Sequence, residues 1–110
     1  MADRNETVEV RPTPDEIREA IRPVQDPELR LGIVDLGLVY DIRNADGVVE
    51  VDMTLTTPFC PLGPTMMADV DRAVRALPGV KDVRVNLVWE PQWDPRTMAS
   101  EDARDALNIW

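Results

Sequence analysis

The chain has 110 residues, of which 44% are hydrophobic and 30% are charged, and its formal net charge is −9 at pH 7. This size and balance fit one small folded domain, and the negative charge argues against nucleic acid as a partner because phosphates would be repelled. The sequence has no apolar run long enough to span a bilayer, no signal-peptide pattern and a single cysteine, so we expect a cytoplasmic protein without an internal disulfide.

The N-terminal part predicts a polar tail followed by a capped helix. Residues 1–12 show no apolar period, and we expect them to form a flexible tail ahead of a single domain over residues 13–110. Thr13 has the character of an N-cap, Pro14 suits the first helical position, and a glutamate follows the cap by three residues. Pro23 disfavours a helical residue before it, so this helix should end there.

A loop and a β-hairpin are predicted next. Residues 25–37 have no clean period and contain a proline and two glycines, which indicates a shaped loop. Residues 38–43 and 48–55 read as two strands, and the second alternates between apolar and polar side chains. The intervening residues 44–47 end in a glycine that suits positive φ, so the two strands should pair as a hairpin.

The second half predicts a helix, a third strand and a last helix. An apolar stripe defines a helix to about Leu77, residues 80–89 alternate as a strand, and Ser100 caps a short helix to about Leu107. The order is therefore α-β-β-α-β-α. An α/β (α+β) two-layer sandwich, with a three-stranded sheet and helices on one face, is the economical arrangement.

The only cysteine, Cys60, lies in the stretch TTPFCPLGP at residues 56–64. The two prolines after it suit a first helical turn, where free amides and the positive end of the helix dipole favour a thiolate. Thr56 and Thr57 add hydroxyl donors just ahead of it. The alternative is that Cys60 is a small buried hydrophobe, which is common for cysteine.

Several motifs together resemble a known family. DPEL (26–29), IVDLGLVYDI (33–42), MTLTTPFCP (53–61), LPGV (77–80) and LVWEPQW (87–93) are similar, in order, to the motifs of the SufT/PaaD-like iron–sulfur assembly domain. The resemblance covers about residues 14–109. PaaD proteins carry a cysteine-rich tail that this sequence lacks, so the resemblance favours the SufT-like members.

The resemblance implies an auxiliary factor that carries iron–sulfur clusters, or targets them, to client proteins, and that is not an enzyme. Its partners would be the iron–sulfur assembly machinery and client apo-proteins. Cys60 matches the family's reactive cysteine. Asp26, Glu28 and Asp35 match its nearby acidic positions and are candidate metal ligands.

Structural roles for the same side chains remain open. Asp26 suits capping of a backbone amide in a turn, Asp35 suits bracing of the loop, and a threonine at 56 or 57 suits ending the strand. One thiolate does not hold a whole cluster, since protein-bound clusters commonly use about four cysteines. The expected cargo is therefore a labile cluster or iron bridged between two chains of a homodimer, or none.

Two other functions compete with the maturation factor. A thiol enzyme would use Cys60 as nucleophile, but the sequence has no histidine as base and no second cysteine as resolving partner. A pure adaptor would have a structural cysteine and would dock through other surfaces. Trp89 and Trp93 are expected to cover the sheet edge or a partner surface, and an exposed Trp93 would favour the partner.

Overall fold

The computed structural model describes residues 11–56 and 63–109. The elements within these ranges are α1 (Pro14–Ile21), β1 (Gln25–Asp26), β2 (Leu31–Gly32), α2 (Ile33–Leu36), β3 (Val39–Ala45), β4 (Val48–Met53), α3 (Gly63–Arg75), β5 (Asp82–Leu87), α4 (Pro95–Met98) and α5 (Glu101–Leu107). The predicted α-β-β-α-β-α order is confirmed by α1, β3, β4, α3, β5 and α5. The remaining elements are short additions to it.

The main sheet has the strand order β3-β4-β5. β3 and β4 pair antiparallel as the predicted hairpin, and Gly47 takes the positive φ of 93° in the turn between them. β4 and β5 pair in parallel, with α3 as the crossover connection. The lengths of the connections explain this mixed pairing. Two residues connect β3 to β4, which suits an antiparallel hairpin, whereas a parallel pair such as β4 and β5 needs a longer crossover.

The first helix begins as its sequence predicts. The Thr13 hydroxyl accepts a hydrogen bond from the Glu16 amide at 3.2 Å, and the Glu16 carboxylate accepts one from the Thr13 amide at 2.9 Å. This reciprocal capping box satisfies two amides that a helix start leaves free. The backbone bond to Thr13 lowers the pKa of Glu16.

One face of the main sheet forms the core, and α1 and α3 pack over it. The fully buried side chains come from both helices, from α2 and from the inward positions of the strands: Ile17, Ile21, Ile33, Leu36, Leu38, Val49, Val51, Met53, Met66, Val70 and Val74. Helices on one face of a three-stranded sheet are the predicted two-layer arrangement, which is confirmed. The Met66 side chain belongs to this core.

The opposite face of the sheet is polar and is organised around one arginine. Arg43 binds the Asp52 carboxylate with two nitrogens, at 2.9 Å and 3.1 Å. Asn86 donates to the same carboxylate at 2.9 Å. The Arg43 hydrogen bonds, followed by that from Asn86, lower the pKa of Asp52.

The segment from 25 to 37, predicted as a loop, is more regular than expected. β1 and β2 form a two-residue antiparallel ladder in which Gln25 pairs with Gly32 and Asp26 with Leu31. α2 follows directly and ends at Gly37, whose φ is 80°. Elements of two to four residues are too short to show a hydrophobic period, so the sequence pattern did not reveal them.

The predicted strand limits differ from the observed ones by up to two residues. The predictions for β4 and β5 are too long because apolar alternation continues past the ladder, whereas β3 extends two residues further into the hairpin turn than predicted. Most of the expected tail, residues 1–10, lies outside the described ranges, so the division into tail and domain stays a prediction. None of the helices in residues 11–56 and 63–109 is long and apolar enough to cross a membrane.

Candidate functional site

In the sequence, Cys60 lies between β4 and α3. Cys60 and Thr57 fall outside the described residues, whereas Thr56, the last described residue before them, is half-buried. The helix α3 begins at Gly63, three positions after the cysteine. A Cβ on Gly63 would lie only 2.8 Å from the Cδ1 atom of buried Leu55, so the start of α3 lies against the segment that follows β4.

Asp26 is the most unusual side chain among the predicted site residues. It is fully buried, and its Oδ1 atom accepts hydrogen bonds from the amides of Glu28 at 2.8 Å and Leu29 at 3.0 Å. The Asp26 carbonyl also accepts from the Arg30 amide at 2.7 Å, which closes the turn. This is the capping role that the turn interpretation predicts.

The second carboxylate oxygen of Asp26 has no such role. Oδ2 is buried and makes no hydrogen bond with any described residue. A buried carboxylate oxygen without a donor costs free energy, and such groups in native proteins usually have a specific reason. Among the described residues, Asp26 therefore has one carboxylate oxygen that organises the turn and one that is buried without a hydrogen-bond donor.

Glu28 and Asp35 are exposed, unlike Asp26. The Asp35 carboxylate lies 3.6 Å from the Nη1 atom of Arg22, and the Nε atom of the same arginine binds Glu19 at 2.7 Å. The Asp35 carbonyl accepts a hydrogen bond from the Ser100 amide at 2.7 Å and so connects α2 to the start of α5. Bracing by Asp35 therefore runs through its backbone and through Arg22, a partner that the sequence pattern did not predict.

The turn with Asp26 and Glu28 flanks the middle of α3. A cavity of about 490 Å³ separates residues on both sides of Asp26 from Asp69, Arg72 and Ala73 of α3. Asp69 is six residues beyond the helix start, or about 9 Å along the axis. The acidic turn therefore lies beside the middle of α3 and does not adjoin the start of that helix.

The described residues do not form a complete metal site. Residues 11–56 and 63–109 contain no group of three histidine, cysteine or carboxylate side chains placed to hold a metal ion. Asp26, Glu28 and Asp35 are thus not brought together as a ligand set. Because the sequence has one cysteine and no histidine, any cluster would need ligands from outside a single chain.

The two tryptophans that follow β5 have different environments. Trp93 packs against the core and donates its Nε1–H to the Leu36 carbonyl at 2.8 Å. Trp89 is 43% exposed, and Leu87 is 38% exposed. The expected partner surface therefore cannot rest on Trp93, and Trp89 with Leu87 is the exposed apolar pair near the end of β5.

Comparison with known proteins gives a consistent result. A family model described as "Iron-sulfur cluster assembly protein" matches residues 14–87. The Fe-S protein maturation auxiliary factor YitW of Bacillus subtilis is 46% identical over 94 residues, covering 84% of this chain and 91% of that protein. The Fe-S protein maturation auxiliary factor SufT of Staphylococcus aureus is 45% identical over 87 residues, covering 78% and 98%.

A solved structure agrees with the fold. A conserved hypothetical protein from Thermotoga maritima superposes with a TM-score of 0.79 at 36% identity, covering 93% of this chain and 100% of that chain. The compact α+β architecture with its mixed sheet is thus shared with experimental structures. The chain belongs to the iron–sulfur cluster assembly protein family, and the SufT-like resemblance in its motifs is confirmed.

Proposed function

We propose that this protein is an auxiliary maturation factor that carries iron–sulfur clusters, or targets them, to client apo-proteins through Cys60. The observation that carries the proposal is the match to two maturation auxiliary factors over most of their own length. A protein named as an iron–sulfur cluster carrier, from Synechocystis, is also 42% identical over 78 residues, although these make up only 22% of that protein. We accordingly assign delivery of cargo to this chain, and no enzymatic reaction of its own.

The position of Cys60 suits delivery. It precedes α3, a helix of 13 residues, so free amides and the helix dipole favour the thiolate that binds iron or a partner sulfur. The hydroxyls of Thr56 and Thr57 are proposed to support that thiolate. One thiolate per chain holds cargo loosely, and loose binding favours transfer over permanent retention.

The acidic residues are assigned secondary roles. Asp26 has one oxygen free for a hard ligand such as iron, and its other oxygen shapes the turn. Glu28 and Asp35 are exposed carboxylates. They would bind iron only when a client, a scaffold or a second chain completes the ligand set. The cargo is accordingly proposed as labile and shared, and the site of action as the cytoplasm.

A pure adaptor is the second candidate, and the exposure of Trp89 favours it. Trp89 and Leu87 offer an apolar surface that is independent of any thiol. In an adaptor, Cys60 would be dispensable while the surface at Trp89 would not. The two functions therefore predict opposite outcomes for substitution of Cys60.

Complementation of a cell that lacks this protein tests the proposal. We expect reduced activity of iron–sulfur enzymes in such cells, restored by the wild-type chain but not by Cys60→Ser. Thr13→Ala is the matched control, because loss of the cap costs about 1 kcal/mol of stability without touching the thiol loop, and it should restore activity. Full restoration by Cys60→Ser, or normal enzyme activity without the protein, would contradict the proposed role.

A further inference from the structure

The strand β5 lies at the edge of the main sheet, and part of its backbone is unpaired. The Asp82 amide donates to the Gly47 carbonyl, just before β4, at 3.3 Å, and the Val88 amide donates to the Met53 carbonyl of β4 at 2.9 Å. Because backbone groups alternate along a strand, the amides and carbonyls of Val83, Val85 and Leu87 point away from β4. A row of this kind is a template for another strand.

One end of this row is closed by side chains. Arg75 donates to the Val83 carbonyl at 3.5 Å and to the Asp82 carboxylate at 3.3 Å. The Asp82 carboxylate also accepts a hydrogen bond from the Val83 amide. The open part of the edge therefore consists of Val85 and Leu87, which make no such bonds with the described residues.

An apolar groove runs beside the open edge. Its volume is about 720 Å³, and it lies between α3 and β5. The groove has apolar Met67, Ala68, Ala76 and Val85 in its lining, and charged residues of α3 complete it. Leu87 is the last residue of β5 and Trp89 follows it by two positions, and both are large exposed hydrophobic side chains. Exposed apolar side chains and an apolar groove therefore adjoin each other.

We propose that the open edge of β5 binds β5 of a second copy of this chain, in antiparallel pairing with the twofold axis at Leu87. Leu87 then faces the partner's Leu87, and Val85 faces Trp89 of the partner subunit. Residues 85, 87 and 89 share one side of the strand, so each Trp89 enters the groove beside Val85 of the other chain. The dimer contains one continuous six-stranded sheet.

The charges beside the edge select both the partner and the register. Arg84 is exposed and forms no ion pair with the described residues, and the same holds for Glu90. In the proposed register, Arg84 lies opposite Glu90 of the partner subunit, and the twofold axis makes this pair twice. Opposite charges directly across two strands stabilise their pairing.

Neighbouring registers that keep the hydrogen bonds are less favourable. A shift in one direction places Asp82 opposite Glu90, which brings like charges together. A shift in the other direction places Val85 opposite Pro91, which has no amide to donate. The proposed register is the one that uses both open residues and pairs the charges, and it rests on β5 alone, independently of the role of Cys60.

A charge-exchange experiment tests this interface. Mass and dissociation constant would be measured by sedimentation equilibrium on the full chain with Cys60→Ser, so that no disulfide or shared cluster contributes. We expect a dimer, and we expect Arg84→Glu and Glu90→Arg each to raise its dissociation constant about tenfold or more, since two attractive pairs become repulsive. The double variant should return to near the original value, and Arg96→Glu, an exposed charge on α4, should change nothing.

Amide hydrogen exchange provides the second measurement. The Val85 and Leu87 amides should be protected in the dimer and should exchange rapidly in Arg84→Glu. A monomer at the highest soluble concentration, or a double variant that stays monomeric while folded, would overturn the proposal. Protection of these amides in a monomer would also overturn it, because another segment of the same chain would then cover the edge.

Discussion

The buried turn at Asp26 makes a quantitative prediction about stability. Replacing Asp26 by alanine removes the acceptor of two amide hydrogen bonds, at 2.8 Å and 3.0 Å, at a fully buried position. Hydrogen bonds to a charged group contribute about 1.5–3 kcal/mol each. Part of this is offset, because the wild-type carboxylate has one buried oxygen without a donor among the described residues. We expect Asp26→Ala to lower the free energy of unfolding by about 2–4 kcal/mol.

An asparagine variant distinguishes the contribution of the hydrogen-bonded oxygen of Asp26 from that of the rest of the carboxylate. Asp26→Asn keeps one oxygen as the acceptor for both amides, loses the charge and replaces the unpaired oxygen by an NH2 group, so the expected loss is about 1 kcal/mol. Urea unfolding measures both losses from the shift in midpoint, provided that the slope of the free energy of unfolding against urea concentration stays unchanged. The exposed neighbour supplies the control, since Glu28→Gln should stay within about 0.5 kcal/mol of the wild type. An alanine variant as stable as that control would refute the assignment of Asp26 as the organiser of the turn.

Three further predictions concern other parts of the fold. Gly37→Ala should lower the free energy of unfolding by about 2–4 kcal/mol, because φ is 80° and a Cβ would lie 2.6 Å from a backbone carbon of α4. Urea unfolding measures this loss, and an unchanged midpoint would contradict the close approach. Trp93→Phe should cost about 1 kcal/mol by leaving the Leu36 carbonyl without its donor, and a variant that unfolds at the wild-type midpoint would show that the bond contributes nothing. The pKa of Asp52 is lowered in the folded state, chiefly by Arg43, so the stabilisation that this carboxylate provides is present above the unfolded value of 3.8 and is lost as pH falls through the lower folded pKa. Arg43→Met should therefore make the free energy of unfolding less dependent on pH in that acidic window. An unaltered pH profile would refute the coupling.

The elements that could be predicted are those with local signals. The capping box at Thr13 lies within one helical turn, and the hairpin turn at Gly47 lies within four residues, so neighbouring residues alone determine both. The strands β4 and β5 alternate because one face of the sheet is buried and the other is polar. These features needed no knowledge of the distant chain.

The features that could not be predicted depend on distant contacts. Trp93 reaches a carbonyl 57 residues earlier in the chain, and this bond decides that Trp93 packs inward while Trp89 stays exposed. Asp26 is buried in the turn that the pairing of β1 with β2 closes, which no pattern in DPEL indicates. The motif resemblance identified Cys60, but its side chain falls outside the described residues, so its role stays a proposal.

The proposed delivery function depends most directly on whether Cys60 binds cargo. Native mass spectrometry after anaerobic incubation with iron and sulfide, on the wild type and on Cys60→Ser, measures this without reference to any client. We expect the wild type to gain iron and sulfide masses on a species that contains two chains, and we expect Cys60→Ser to gain none. Bare protein in both samples would contradict cluster carriage and favour the adaptor function.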